Sequence, residues 1–121
     1  MIKKIVIAGC RDYENYEEAK NFIDICLSKI KNENEIIIIS GGCRGADRIG
    51  ERYAKENGYK IELYKADWDK YGRSAGPKRN EDMAKNCDCV IAFWDGKSRG
   101  TGSMLEFAKR ENKPTRIKYV K

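Results

Sequence analysis

Short apolar runs alternate with stretches of helical period along the whole chain. Ile5-Val6-Ile7-Ala8 is an unbroken apolar run that ends at Gly9 and reads as a first strand. Ala19, Phe22, Ile23, Cys26, Leu27 and Ile30 then recur at helical spacing, and the pattern breaks at Asn32-Glu33-Asn34. Glu35-Ile36-Ile37-Ile38-Ile39-Ser40 is continuous and β-branched, the pattern of a strand covered on both faces and hence central in a parallel sheet. Ala46, Ile49, Tyr53 and Ala54 mark a second helix that stops at Asn57-Gly58, a C-terminal glycine signal.

A third strand is expected over residues 59–65, alternating and less buried, followed by a long loop over 66–76 with neither period. Pro77 suits the first turn of a third helix carrying Met83, Ala84 and Cys87 inward. Residues 89–94 form a fourth strand, 95–102 a second glycine-rich turn, and Met104, Leu105 and Ala108 the apolar face of a fourth helix. Residues 115–120, after Pro114 and dotted with basic side chains, close as an edge strand. This βαβαβαβαβ order predicts one α/β domain over residues 1–121, a Rossmann-like doubly wound parallel sheet of five strands in the order 3-2-1-4-5 with helices on both faces. That order reverses between the first and fourth strands, so a site is expected where the loops after strands one, two and four converge.

Composition narrows the chemistry. The 121 residues contain no histidine, which removes Ser-His and Cys-His dyads, His-ligated zinc and imidazole acid–base catalysis. Five cysteines without a C-x-x-C pair do not form a disulfide framework; Cys10 and Cys43 beside the expected site read as inert, and the compartment as reducing, hence cytoplasmic. No apolar run approaches the ~18 residues of a membrane span, so no membrane partner is expected. Net charge is +6, and six of the nine arginines (Arg11, Arg44, Arg48, Arg73, Arg79, Arg99) lie in or beside the loops, whereas lysines dominate the helices. Arginine's planar fork grips phosphate oxygens in pairs, so this segregation points to a phosphate or nucleotide. Arg48 and Arg73 are equally well read as surface residues paired with nearby acids.

The converging loops are Gly9-Cys10-Arg11-Asp12, Ser40-Gly41-Gly42-Cys43-Arg44-Gly45-Ala46-Asp47 and Asp95-Gly96-Lys97-Ser98-Arg99-Gly100-Thr101-Gly102. Each puts glycine where a strand becomes a helix, where backbone N–H groups and the positive end of the helix dipole favour phosphate. Neither G-x-G-x-x-G nor a P-loop is present. Asp12, Asp47 and Asp95 are candidates for ribose hydroxyls or for helix capping, with capping the safer reading for Asp47. Arg79 and Asn80 are placed by Pro77 in the first turn of their helix, where a cation calls for a neighbouring anion. Trp68 and Tyr71 are candidates for stacking on a base, and Trp94 for the core.

Residues 40–47, 75–83 and 92–101 together resemble the SLOG superfamily, above all its YspA-type, YpsA-related branch found in bacteria, phages and prophages. The resemblance spans nearly the whole chain. It implies a Rossmann-like domain that binds nucleotides or nucleotide-derived molecules, in a branch proposed to act in phage–host conflict. The related LOG enzymes cleave the N-glycosidic bond of nucleoside monophosphates with an Arg in R-K-x-x-M and a Glu in P-G-G-x-G-T-x-x-E. Arg79-Asn80-Glu81-Asp82-Met83 keeps that Arg and Met, and Gly100-Thr101 keeps the turn, but Met104 stands in place of the Glu. The nearest carboxylate, Glu106, is two residues on, about 200° around a helix. If the chain is an enzyme, Arg79 and Glu106 are the catalytic candidates, with Asp12 or Asp95 as substitutes for the displaced carboxylate. The related DprA proteins share an S-G-x-x-x-G-x-D turn and an R-N pair and bind single-stranded DNA.

The leading expectation is a binding domain for an ADP-ribose-like or cyclic signalling nucleotide, acting as a sensor or a sequestering protein. Its ligand-binding residues would be Gly9, Arg11 and Asp12; Ser40, Gly41, Gly42, Arg44, Gly45 and Asp47; Arg79 and Asn80; and Asp95, Ser98, Arg99, Gly100 and Thr101. Phosphoribohydrolase activity is the alternative, and single-stranded nucleic-acid binding, which the positive charge permits without demanding, is the second. No cofactor is required, although a Mg²⁺ carried in by phosphate would leave no trace in the sequence. So shallow a site suggests a homo-oligomer in which a neighbour's long loop closes the pocket.

Overall fold

A run of apolar residues can be central in a sheet only if both of its faces are covered, and β1 (Ile2–Gly9) meets that condition. In the computed structural model, which describes residues 1–120, β1 pairs in parallel with β2 (Glu35–Ser40) on one side and β4 (Cys89–Trp94) on the other. β3 (Lys60–Leu63) lies outside β2 and β5 (Thr115–Tyr119) outside β4, giving the order β3-β2-β1-β4-β5. This is the expected doubly wound order.

The side-chain alternation of β1 divides the core in two. Ile5 and Ile7 pack against α1 (Tyr16–Leu27) and α2 (Ala46–Asn57), whose Ala19, Ile23, Leu27, Ile49 and Tyr53 form one buried cluster. Val6 and Ala8 face the other way, against Met83 and Ala84 of α4 (Ala75–Asn86) and Met104 and Ala108 of α5 (Arg99–Arg110). Each fully buried isoleucine removes enough apolar surface to contribute roughly 2 kcal/mol, so the two clusters hold the helices to both faces. Asn15 caps α1 by accepting from Glu18 N–H at 3.2 Å, and Gly58, at φ +71°, ends α2 in the left-handed conformation.

Two boundaries differ from the sequence reading. The first helix ends at Leu27 rather than reaching Ile30, and Ser28 folds its N–H back onto Ile25 C=O. The loop expected over 66–76 contains a short helix, α3 (Trp68–Tyr71), capped by Asp67, and a 3-10 turn (Gly72–Ser74). α4 then starts at Ala75, with Pro77 at its third position, where its missing N–H is still one of the unpaired first-turn donors. Arg79 is therefore two residues further into the helix than a start at Pro77 implies, in its second turn.

Candidate functional site

The reversal of strand order leaves a gap at the carboxyl ends of β1 and β4, and a cleft of about 440 Å³ opens there. Its rim carries Arg11 and Asp12 after β1, Arg44 after β2, and Asp95 and Arg99 after β4. Its base is Ala8, Gly9, Met83 and Met104, with Arg79 and Asn80 of α4 on one wall and Tyr13 on another. Two long helices, α2 and α5, begin at this cleft, and neither has a side-chain cap. Ser98 at the N-cap of α5 gives its hydroxyl to Asp95 Oδ2 at 3.2 Å instead of to the helix. First-turn N–H groups of Gly100 and Thr101 thus stand at the opening with the positive end of a helix dipole behind them.

Arg79 is the inner cation. Its Nη1 donates to Gly41 C=O at 2.7 Å and its Nε to Asn80 Oδ1 at 3.0 Å. Asn80, buried, passes the connection on by donating from Nδ2 to Gly100 C=O at 3.2 Å. One arginine–asparagine pair so ties the loop after β2 to the first turn of α5, fixing the two sides of the cleft. Gly41 lies close against this pair: a Cβ on it would stand 2.8 Å from Arg79 Nη1 and 3.0 Å from Asp47 Oδ2, so the guanidinium tip would have to shift to admit one.

The three aspartates have different fates. Asp95 Oδ1 accepts from the N–H of Lys97 at 2.8 Å and of Ser98 at 2.7 Å, and these bonds hold its carboxyl down at about 2. It is spent on shaping its own turn. Asp12 is almost wholly exposed and pairs with Arg44 at 3.6 Å, a contact between two solvated side chains. Asp47 is the second residue of α2, and it braces the preceding loop by accepting from Cys43 N–H at 3.1 Å rather than acting as the N-cap, which is Gly45. Burial pushes its carboxyl up to about 6, against the lowering influence of that bond and of Arg79.

Of the residues expected to bind ligand, Gly9, Arg11, Asp12, Arg44, Asp47, Arg79, Asn80, Asp95, Ser98, Arg99, Gly100 and Thr101 line this cleft. Ser40, Gly41, Gly42 and Gly45 do not. Ser40 is fully buried, donating to Glu51 Oε2 at 2.7 Å and accepting from Gly42 N–H at 3.1 Å. Gly45, at φ +76°, lets the loop pass so close that a Cβ would sit 2.4 Å from Cys10 C=O. These four shape the wall from behind. Glu106 lies outside the cleft, in a shallow depression with Pro77, Phe107 and Arg110 on the far side of α5, as its displacement around the helix requires. Arg48 pairs with Glu51 at 3.2 Å.

Residues 3–71 match the YAcAr family, described as YspA, cpYpsA-related SLOG, which is more than half of the chain. The chain belongs to that SLOG family. Its membership supports a nucleotide-related binding or processing fold. The YAcAr chain is 35% identical over 85 residues to the Gene 61 protein of Mycobacterium phage D29, an alignment covering 65% of this chain and 68% of that protein. Among solved structures it resembles DNA processing protein A (DprA) from Streptococcus pneumoniae, with a TM-score of 0.72 and 20% identity. The match covers 97% of this chain but spans only 50% of DprA. It also resembles TM1055, a structural-genomics target, with a TM-score of 0.65 and 18% identity, over 95% of this chain and 72% of that one. At such identities the likeness is one of fold.

Several residues that line the cleft of this SLOG chain carry no ligand signal in the sequence. Tyr13 is buried, stacks on Phe93 with ring centroids 5.0 Å apart, and donates to Glu18 Oε1 at 2.8 Å, giving the cleft an aromatic wall. Met83 and Met104 form an apolar floor. Cys10, whose Sγ is 3.3 Å from Ser98 Oγ, and Cys43 also reach it. Helical spacing marks both methionines as buried but not as facing a ligand. No group of His, Cys, Asp or Glu that could hold a metal ion occurs among the described residues, and no helix among them is long and apolar enough to cross a membrane. Chemically, the site offers cations and N–H donors around an apolar floor.

Proposed function

We propose that this chain holds a phosphate-bearing, nucleotide-derived small molecule in the β1/β4 cleft, in the manner of a sensor or a phage-encoded sequestering protein. The observation that carries the reading is the convergence of Arg79 and two helix N-termini without side-chain caps on one cleft at the switch point. About 440 Å³ suits a ligand of nucleotide size, such as an ADP-ribose-like molecule or a cyclic nucleotide. Gly100 and Thr101 would receive phosphate, with Arg79 at the base and Arg11, Arg44 and Arg99 neutralising charge at the rim. Met83, Met104 and Tyr13 suit a base or ribose face, and Asp12, exposed at the rim in its solvated pair with Arg44, offers its carboxylate to ribose hydroxyls. The likeness to a phage protein supports use in phage–host conflict. In this reading the chain works in the cytoplasm, needs no cofactor beyond a Mg²⁺ that a phosphate brings, and forms a homo-oligomer whose neighbour covers the open side.

A second reading is N-glycosidic cleavage of a nucleoside monophosphate, favoured by the presence of Arg79 and Met83, the residues shared with the LOG motif, in the same cleft. Thermal shift against ADP-ribose, cyclic AMP, AMP and adenosine, with free base followed by chromatography, separates the two. Stabilisation by phosphate-bearing members without release of base supports binding; base release lost in Arg79→Ala supports turnover; no stabilisation by any of them counts against both.

A further inference from the structure

Asp47 is an unusual group for a cleft that collects cations. It is buried, yet none of the ion pairs among the described residues includes it. Its Oδ2 accepts only the Cys43 N–H, and its Oδ1 accepts no hydrogen bond. Since no buried side-chain nitrogen or oxygen among the described residues lacks a partner, Oδ1 is not sealed in the core, and Asp47 is one of the residues that line the cleft.

A bare carboxylate there repels the anion that the arginines and helix ends attract. Its surroundings are mixed. Arg79 faces it from α4 across Gly41, Arg11 reaches it from the loop after β1, and Glu51 stands one turn further along α2, held by Ser40 and Arg48. Arg44 and Asp12, paired with each other, and Asp95 and Arg99 complete the charges around the cleft. Tyr13, also on the wall, has its hydroxyl committed to Glu18.

We propose, resting on the reading of this cleft as an oxyanion site, that an entering oxyanion binds together with one solvent proton taken up by Asp47 on Oδ1. The residue changes from a repelling carboxylate into a hydrogen-bond donor, and dissociation returns the proton to solvent. Burial already pushes the group's ionisation up to about 6, and a neighbouring negative charge raises it further. Affinity is then greatest on the acid side of that range and falls with rising pH by at most roughly tenfold per pH unit. A cleft in which Asp47 accepts ribose hydroxyls as a carboxylate has the opposite pH dependence.

The test uses inorganic sulfate, whose charge is constant near neutrality. Side-chain carboxyl resonances of the whole protein are followed by carbon NMR against pH, with and without sulfate, while backbone amides report where sulfate sits. The expected result is sulfate-dependent movement of the Cys43, Gly100 and Thr101 amides, a rise of roughly one pH unit in the Asp47 midpoint, and sulfate affinity that weakens as pH rises. In Asp47→Asn the affinity becomes independent of pH and matches the acid limit of the wild type. Movement of those amides with an unchanged or lowered Asp47 midpoint overturns the proton uptake and leaves the oxyanion site standing. No movement of those amides overturns both. Should Asp47→Asn fail to fold, the wild-type midpoints decide alone.

Discussion

Arg79 and Gly41, separated by 38 positions in the chain, are joined by a 2.7 Å hydrogen bond from the guanidinium to the carbonyl. That bond holds the one partly buried arginine of the cleft against the loop after β2, while Asn80 anchors it to α5. Replacing Arg79 by Ala removes a charge-assisted contact and releases both loops. Affinity for a phosphate-bearing nucleotide in calorimetry is expected to fall by roughly tenfold to a hundredfold, with secondary structure by circular dichroism unchanged.

Gly41→Ala reaches the same arginine from the other side. The added methyl meets the tip of a flexible side chain, so the guanidinium moves while the backbone stays. Ligand affinity should weaken several-fold with a small change in Tm. Gly45→Ala should do the reverse, since its methyl meets backbone carbonyls of Cys10 and Arg11 at a positive φ. A loss of about 2–4 kcal/mol in chemical denaturation is expected.

Asp47 sets a pH dependence of stability. Its folded ionisation, pushed up to about 6, lies above the unfolded value of about 3.9. The folded state therefore binds the proton more tightly, and this contribution is complete below about pH 4 and lost as pH rises through about 6. The difference in unfolding free energy between wild type and Asp47→Asn should shift by on the order of 2 kcal/mol across that window. A difference that is flat with pH would contradict the environment assigned to Asp47. Asp95 has the opposite sign: held at about 2 by the N–H groups of Lys97 and Ser98, it stabilises the fold above its unfolded value, and that contribution fades as pH falls towards about 2. Being exposed, it should fade sooner in high salt.

Glu106→Ala is expected to leave ligand-induced stabilisation unchanged, because Glu106 lies beyond α5 with Phe107 and Arg110. Loss of a base-releasing activity in this variant would instead favour the hydrolytic reading and require α5 to turn or a partner copy to supply the site.

Much of this arrangement was legible in the chain. The four isoleucines of β2 and the alternation of strands with amphipathic helices determine the sheet order, and the order determines where the cleft lies. The loops after β1, β2 and β4 were therefore identifiable before any contact was known. What the chain does not encode locally is the direction of each side chain once the loops fold back. Asp95 and Asp47 both fall in glycine-rich stretches that follow a strand, yet one closes its own turn and the other is placed at the cleft by the first turn of α2. Ser40 and Gly41 to Gly42 look like a phosphate cradle but brace Glu51 and Arg79. Helical period showed Met83 and Met104 to be buried without showing that the core wall they belong to is also the cleft floor.

The most direct test is mass spectrometry of small molecules released by denaturing the purified wild-type and Arg79→Ala proteins. A phosphate-bearing, nucleotide-derived compound is expected to be carried by the wild type and lost from the variant. A compound retained equally by both, or a wild type that carries none and binds no phosphate-bearing nucleotide added to it, would contradict the assignment of the β1/β4 cleft as a nucleotide site.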